Sequence, residues 1–275
     1  MTSVREQVTT TAEHPAGRPF VRVTGRILSR GRLALGALYW LAWLSVSRRI
    51  PVRTGIQREL ETLGIGALFL VVPASMLVGL IVIIQIASQL LQFGAQAMSI
   101  RAIAWFTARE FGPVSAALLV VARSAAGIGG ELASMRASGE IDALRAMGLD
   151  PVKYLVAPKL AALLIALPAL TILSNALIIF GGWIGSTLFL DYSSSFFVEE
   201  FRVAFALRDL VVGLGKSIIF AFIIGLVAAD EGLNVEGRVA AIGEAATRAV
   251  VYSVLAVLAA DTLVNAVFYF IPGLA

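Results

Sequence analysis

The sequence has no cysteine, which excludes disulfides, thiolate metal sites and a cysteine nucleophile. It has one histidine, His14, in a polar N-terminal stretch. Histidine catalysis or metal binding within a membrane is thereby excluded, and with it a Ser–His dyad. Charge is scarce as well. Only 15% of the 275 residues are Asp, Glu, Lys or Arg, against about 25% in soluble domains. The apolar share is 59%, more than one soluble core can hide. These proportions exclude a disordered chain, a nucleic-acid-binding domain and an ordinary cytosolic enzyme. They point to a polytopic α-helical membrane protein.

The net charge is +4, and residues 1–62 hold ten arginines and four glutamates. An arginine-rich flank before the first long apolar run stays on the cytoplasmic side. The basic residues then serve topology and contact with anionic lipid rather than nucleic acid. Residues 1–32, with Pro15, Gly17 and Pro19, are expected to form a flexible basic cytoplasmic tail. Their lack of an apolar run gives no reason to expect a cleavable signal peptide. Residues 33–47 are mainly apolar, carry Tyr39, Trp40 and Trp43, and are flanked by Arg30, Arg32, Arg48 and Arg49. At about 22 Å as a helix they are too short to span about 30 Å of hydrocarbon. An interfacial helix is expected there, with a short buried helix as the alternative.

Residues 33–275 read as a single unit with five spans, at about 63–90, 102–122, 160–190, 210–229 and 249–271. The uncharged run 62–100 is longer than one span needs, so a turn is expected near Gln89, Gln92 and Gln96. Pro168 makes the third span a candidate for a kink. A cytoplasmic N-terminus and five spans put the C-terminus outside. The charge signs agree: segment 123–159 has five basic and four acidic residues, and segment 191–209 has two basic and four acidic ones.

Two local patterns invite chemistry. Gly213, Gly215, Lys216 and Ser217 resemble the end of a phosphate-binding loop, but Leu210 stands where its first glycine belongs and no strand precedes it. Nucleotide binding by this chain is not expected, and no cofactor is. In the charged stretch that follows the second span, Leu132, Met135, Ala143, Leu144 and Met147 recur at helical spacing between charges, with Gly139 a break and Gly148 and Pro151 a stop. This is an amphipathic helix or helix pair over about 131–147. It either lies on the membrane or docks a cytoplasmic partner, and its mixed charge disfavours pure lipid binding.

The blocks Arg109-Glu110-Phe111-Gly112-Pro113, Ala122-Arg123, Glu131 to Met135, Glu140 to Leu144, Met147 to Pro151 and Pro158, with Lys216-Ser217, Gly243 to Val251 and Asp261, together resemble the signature of MlaE/YrbE-type permeases. These are the membrane subunits of ABC transporters that work with MCE proteins. The resemblance covers about residues 35–271. It implies an N-terminal interfacial helix followed by five spans, a second permease copy, and two cytoplasmic ATPase subunits that bind the ATP. It also implies a hexameric MCE-domain protein outside, a membrane lipid as cargo and residence in the bacterial inner membrane. The family's coupling helix maps onto Glu131, Leu132, Met135, Arg136, Asp142 and Leu144. Its lipid pocket lies between the first, second and fifth spans, which brings in Leu77, Leu80 and Ile84 as walls.

Four ionisable residues interrupt the spans: Arg109, Glu110, Lys216 and Asp261. A lone charge at such depth costs several kcal/mol. A Lys216–Asp261 pair locking the fourth and fifth spans is one reading, and a polar lining for a lipid headgroup is the other. For Arg109 and Glu110, just before Gly112-Pro113, the lining reading is preferred. A lipid permease without enzymatic activity of its own is the leading expectation. A secondary transporter or channel for an amphiphile is the alternative, although that class usually shows duplicated halves. An intramembrane enzyme is disfavoured by the missing histidine.

Overall fold

The structure, a computed structural model, describes residues 35, 36, 39, 50–235 and 240–270. The expected tail 1–32 and nearly all of the expected interfacial helix 33–47 lie outside them. Among the described residues, five helices are long and apolar enough to cross a membrane. We label the helices α1 (Gly55–Phe93, continuous with a helical lead-in from Ile50), α2 (Gln96–Ala137), α3 (Glu140–Ala146), α4 (Val152–Phe189), α5 (Ser194–Ala204), α6 (Leu207–Leu233) and α7 (Ala240–Phe270). No strand occurs among the described residues. With no water in the hydrocarbon region, helices satisfy their own backbone groups and so are the form such apolar runs take.

The five spans fall where the hydropathy puts them, and all five are longer than expected. The second runs on to Ala137 rather than ending at Arg123, because Arg123 is not a terminus. Its guanidinium donates to the Thr62 carbonyl of α1 at 2.7 Å. The turn between α1 and α2 is at Gly94, whose φ of 67° suits glycine. The helix pair around Gly139 is real but asymmetric. Gly139, at φ 81°, divides the end of α2 from the short α3. Segment 191–209, expected as a charged loop, contains α5. Ser193 caps α5 by accepting from the Phe196 amide, and Phe197 packs on Ile100 and Tyr192.

The core lies between α1, α2, α4 and α6, around Leu63, Val71, Val120, Leu163, Leu167, Phe220 and Ile224. α1 packs along α4, and α6 sits against α2, α4 and α7. In lipid the hydrophobic effect does not drive helices together, so close backbone approach and polar contacts matter more. The α1–α4 crossing shows this. A Cβ on Gly79 would overlap the Ile178 carbonyl, and one on Gly181 the Met76 carbonyl. Beside the crossing, the Ser174 hydroxyl meets those of Ser75 and Ser115 at 2.9 and 3.1 Å. α7 is the least embedded span. Among the described residues it buries only Ala245, Ala249, Ser253 and Val257, one stripe at helical spacing.

Four π-turns interrupt the spans, at Glu61–Ile65, Thr107–Phe111, Val121–Ala125 and Val152–Val156. Two have a common cause. Pro113 and Pro158 lack an N–H and crowd the carbonyl four residues earlier. In each case the π-turn covers the residues just before the proline, and the helix continues through it. Pro168, the expected kink, lies inside α4 without such a turn.

The crossing gives a test. Gly79→Val should lower stability by about 1–3 kcal/mol, because the Ile178 backbone cannot retreat. Gly127→Ala, with open space at its Cβ, should leave stability unchanged or slightly raised. Thermal unfolding in one detergent compares them, and equal midpoints for the two variants would contradict the crossing.

Candidate functional site: a charge cluster between α2, α6 and α7

The site begins with Pro113. The π-turn it imposes at Thr107–Phe111 adds a residue to the helix and so rotates what precedes it by about 100°. Arg109 and Glu110 lie within this turn. Gly213 lets α6 approach it, since a Cβ there would overlap the Ala108 carbonyl. One turn further along α6, Lys216 reaches the space beside Glu110. Asp261 and Asn265, one turn apart on α7, close the third side.

The contacts are short. The Lys216 ammonium donates to both Glu110 oxygens at 2.8 and 2.7 Å, to Asp261 Oδ1 at 2.9 Å and to Asn265 Oδ1 at 2.6 Å. The Asn265 amide donates to Glu110 Oε2 at 3.2 Å. Lys216 is only 1% exposed, whereas the Glu110 and Asp261 side chains keep 21% and 17%. The cation is hidden and the carboxylate edges reach the open side. Beside them the Arg109 guanidinium lies 5.7 Å from the Trp105 ring centre and 5.3 Å from that of Phe268. Its nearest acid is Asp209, at 3.8 Å. An ammonium holding two carboxylates satisfies all its donors, which is the condition under which such burial is tolerated.

Lys216 and Asp261 are thus in contact, as an ion pair between their spans requires. Glu110, expected to line a cavity separately, is bonded to the same ammonium. The alternative between a structural pair and a polar lining therefore does not divide these residues: one cluster holds all three. Asp209 and Phe268 belong to the site and were not singled out from the sequence. Asn265 was legible one turn from Asp261, but Asp209 read as part of a charged loop.

The wall residues are placed elsewhere. Leu77 is exposed on the outside of α1, and Leu80 lies at the α4 crossing beside Gly181 and Gly185. Ile84 is half-buried on α1. α1 packs on α4 and α2 and makes no substantial contact with α7 among the described residues. Within one chain, these three do not meet the cluster.

The expected docking residues also divide. Leu132 is fully buried against Gly232 of α6, and Met135 packs on the same core. They hold α2 in the bundle, Leu132 with no surface and Met135 half-buried. Their helical stripe is the core face. Glu131 is bonded to Lys159. Arg136, in the last turn of α2, and Arg145 both pair with Asp142 of α3. With Ile141 buried, α3 is clamped to the end of α2. Leu144 is half-buried, while Ala143, Arg145, Ala146 and Met147 are exposed, Met147 to 65%.

Comparison with known proteins gives a consistent result. The family model described as "Permease MlaE" matches residues 56–267. A probable ABC transporter permease protein of Rickettsia prowazekii is 29% identical over 214 residues, 78% of this chain and 83% of that one. The intermembrane phospholipid transport system permease protein MlaE of Haemophilus influenzae is 28% identical over 255 residues, 91% and 93% of the two chains. A probable ABC transporter permease protein of Synechocystis is 31% identical over 180 residues, covering 66% and 68%.

The cluster sets an order of stabilities. Removing Lys216 leaves two carboxylates without their cation, whereas removing Asp261 leaves Glu110 still paired. Lys216→Met should cost about 3–5 kcal/mol, and Asp261→Asn clearly less. Lys216→Met combined with Glu110→Gln should recover part of the loss. Unfolding midpoints in one detergent, since bound lipid adds stability, read this order. Equal losses for the two single variants would dissolve the cluster as described.

Proposed function

The chain belongs to the MlaE permease family, and from that premise we propose that it is the membrane subunit of an ABC transporter that moves lipids between the inner membrane and an extracytoplasmic MCE protein. A separate ATPase subunit binds and hydrolyses the ATP. The observation that carries the lipid reading is the half-open charge cluster among apolar spans. It presents carboxylate edges from Glu110 and Asp261 and a guanidinium from Arg109 to one side, while Lys216 is sealed behind them. Such a patch meets the polar head of an amphiphile whose tail stays in an apolar environment. The Haemophilus relative is named for phospholipid transport, which fits a cargo of this kind.

The shape of the chain supports a set of partners. α1 and α7 leave broad apolar faces uncovered, with Phe69, Leu77 and Ile81 on one and Leu255, Leu263 and Val267 on the other. A second copy meeting these faces would bring Leu77, Leu80 and Ile84 of one chain toward the cluster of its partner. That is the arrangement the wall residues need, because a single chain does not supply it. The ATPase seats on α3, through Arg145, Met147 and their exposed neighbours. Arg136 and Asp142 position that helix, and Glu131 is tied to Lys159 of α4. The α3 end faces the cytoplasm and the α5 end faces the MCE protein, in keeping with the basic flank before α1.

Two experiments test this. Cysteines placed at Ser194 and Ser138, both exposed, label unambiguously because the chain has none of its own. An impermeant maleimide added outside protoplasts should reach Ser194→Cys and not Ser138→Cys; the opposite pattern inverts the topology. For docking, Arg145→Glu with Met147→Asp should release the co-purified ATPase without lowering the amount of folded permease. An undiminished ATPase in that preparation would move the seat away from α3.

A further inference from the structure

Two lysines are buried among the described residues, and only Lys216 belongs to the cluster above. The other, Lys159, is 4% exposed at the α3 end. Its ammonium donates to Glu59 Oε1 and Glu131 Oε2, both at 2.7 Å. The three residues come from three helices: Glu59 from the lead-in of α1, Glu131 from the last turns of α2, and Lys159 from the start of α4. Here the burial is not forced by the bilayer, since the Glu131 side chain is 55% exposed and water is within reach. A buried ion pair seldom stabilises more than apolar packing of equal volume. Stability alone is therefore a poor account of it.

Each of the three helices joined by Lys159 carries a π-turn near the junction: Glu61–Ile65 in α1 and Val121–Ala125 in α2, both on the span side of it, and Val152–Val156 in α4, on its α3 side. α6 and α7 have none among their described residues. A π-turn interrupts the regular hydrogen-bond ladder and marks a place where a helix deforms. Two of these turns are strapped to each other. Arg123 donates to the Thr62 carbonyl at 2.7 Å and the Ser124 hydroxyl to the Leu63 carbonyl at 3.4 Å. On the other side of Lys159 lies α3, clamped to α2 through Asp142 and Ile141. Along α1 and α2 the order is the ion-paired ends, a pair of softened turns strapped to each other, and then the spans.

We infer that Lys159 is the positioning residue of a coupling joint. It binds the α3-side ends of α1 and α2 to each other and to the start of α4, and the π-turns of α1 and α2 are where these ends pivot against the membrane parts of their own helices. A displacement imposed on α3 then reaches α1 as well as α2. The inference rests on α3 being the seat of the ATPase.

The test uses the assembled complex with its ATPase in proteoliposomes. Spin labels go on Gln57→Cys, in the lead-in of α1, and on Ala146→Cys in α3, both exposed positions. Their separation is measured with and without trapped nucleotide. The unaltered complex and its Lys159→Arg variant should hold one narrow distance in both states. Lys159→Met and Glu59→Gln should broaden it in a nucleotide-dependent way. These two should keep the ATPase bound and hydrolysing, while the fluorescent phosphatidylethanolamine delivered to a soluble acceptor per ATP falls about tenfold. An unchanged distance in Lys159→Met overturns the joint. So does a parallel fall of hydrolysis and lipid movement at constant ratio, which marks a merely structural residue. If Lys159→Met does not assemble, Glu59→Gln decides on the same two readouts. Loss of the α3 seat is seen separately, as ATPase retained by the Arg145→Glu, Met147→Asp variant, and leaves the distance measurement standing on its own.

Discussion

A charge carried into hydrocarbon must find its counter-charge inside the protein, and much of this bundle is arranged around one such charge. Lys216 stands about 14 Å along α6 from its start and is buried to 1% exposure. Its bonds to Glu110, Asp261 and Asn265 fix the rotation of three helices at once. α7 depends on them most. The stripe it buries, Ala245, Ala249, Ser253 and Val257, is made of small side chains that offer little to grip. In lipid, where apolar contact between helices competes with equally apolar tails, the polar bonds are what single out one seat for α7.

The helix irregularities serve this arrangement. Without the π-turn at Thr107–Phe111, Glu110 would point about 100° away from Lys216, and the ammonium would be left with Asp261 and Asn265 alone. Pro113 causes that turn through its missing N–H, and Gly112 and Gly213 make room for it. Next to Pro158 the same chemistry produces a turn of the same length in α4. There it sits beside the second buried lysine. The turns at Glu61–Ile65 and Val121–Ala125 have no proline behind them, and Arg123 and Ser124 bridge the two.

Hydropathy located all five spans and the turn near Gln96, because length and apolar content decide that level of structure. It misplaced boundaries wherever a charge was taken as a helix end. Arg123, Glu131 and Lys159 continue their helices, each satisfied by a residue on another helix, and no local window reveals such a partner. The Lys216–Asp261 contact was accessible from charge balance across spans. Glu110 joining it was not, because its direction hangs on a single inserted residue. α5 left a local signal, a serine cap followed by phenylalanines at helical spacing, that was submerged in a charged segment. Leu132 and Met135 show the opposite hazard. An apolar stripe on a charged helix reads equally as a docking face or a core face, and only the position of α6 separates the two.

α2 is the one helix that meets both buried lysines, through Glu110 near one end and Glu131 near the other. A straight rod turned at Glu131 would turn Glu110 by the same angle and pull it from Lys216, at the cost of an unpaired buried charge. α2 is not such a rod. The π-turn at Val121–Ala125 lies between the two glutamates, and a second π-turn carries Glu110 itself. Small rotations of the α3 end can be absorbed at the first turn, and larger ones reach the cluster. The two ion-paired centres are therefore linked through α2 without being rigidly locked to each other. That is the mechanical property a membrane subunit needs if events at one face are to change a polar site within the bilayer while the fold stays intact.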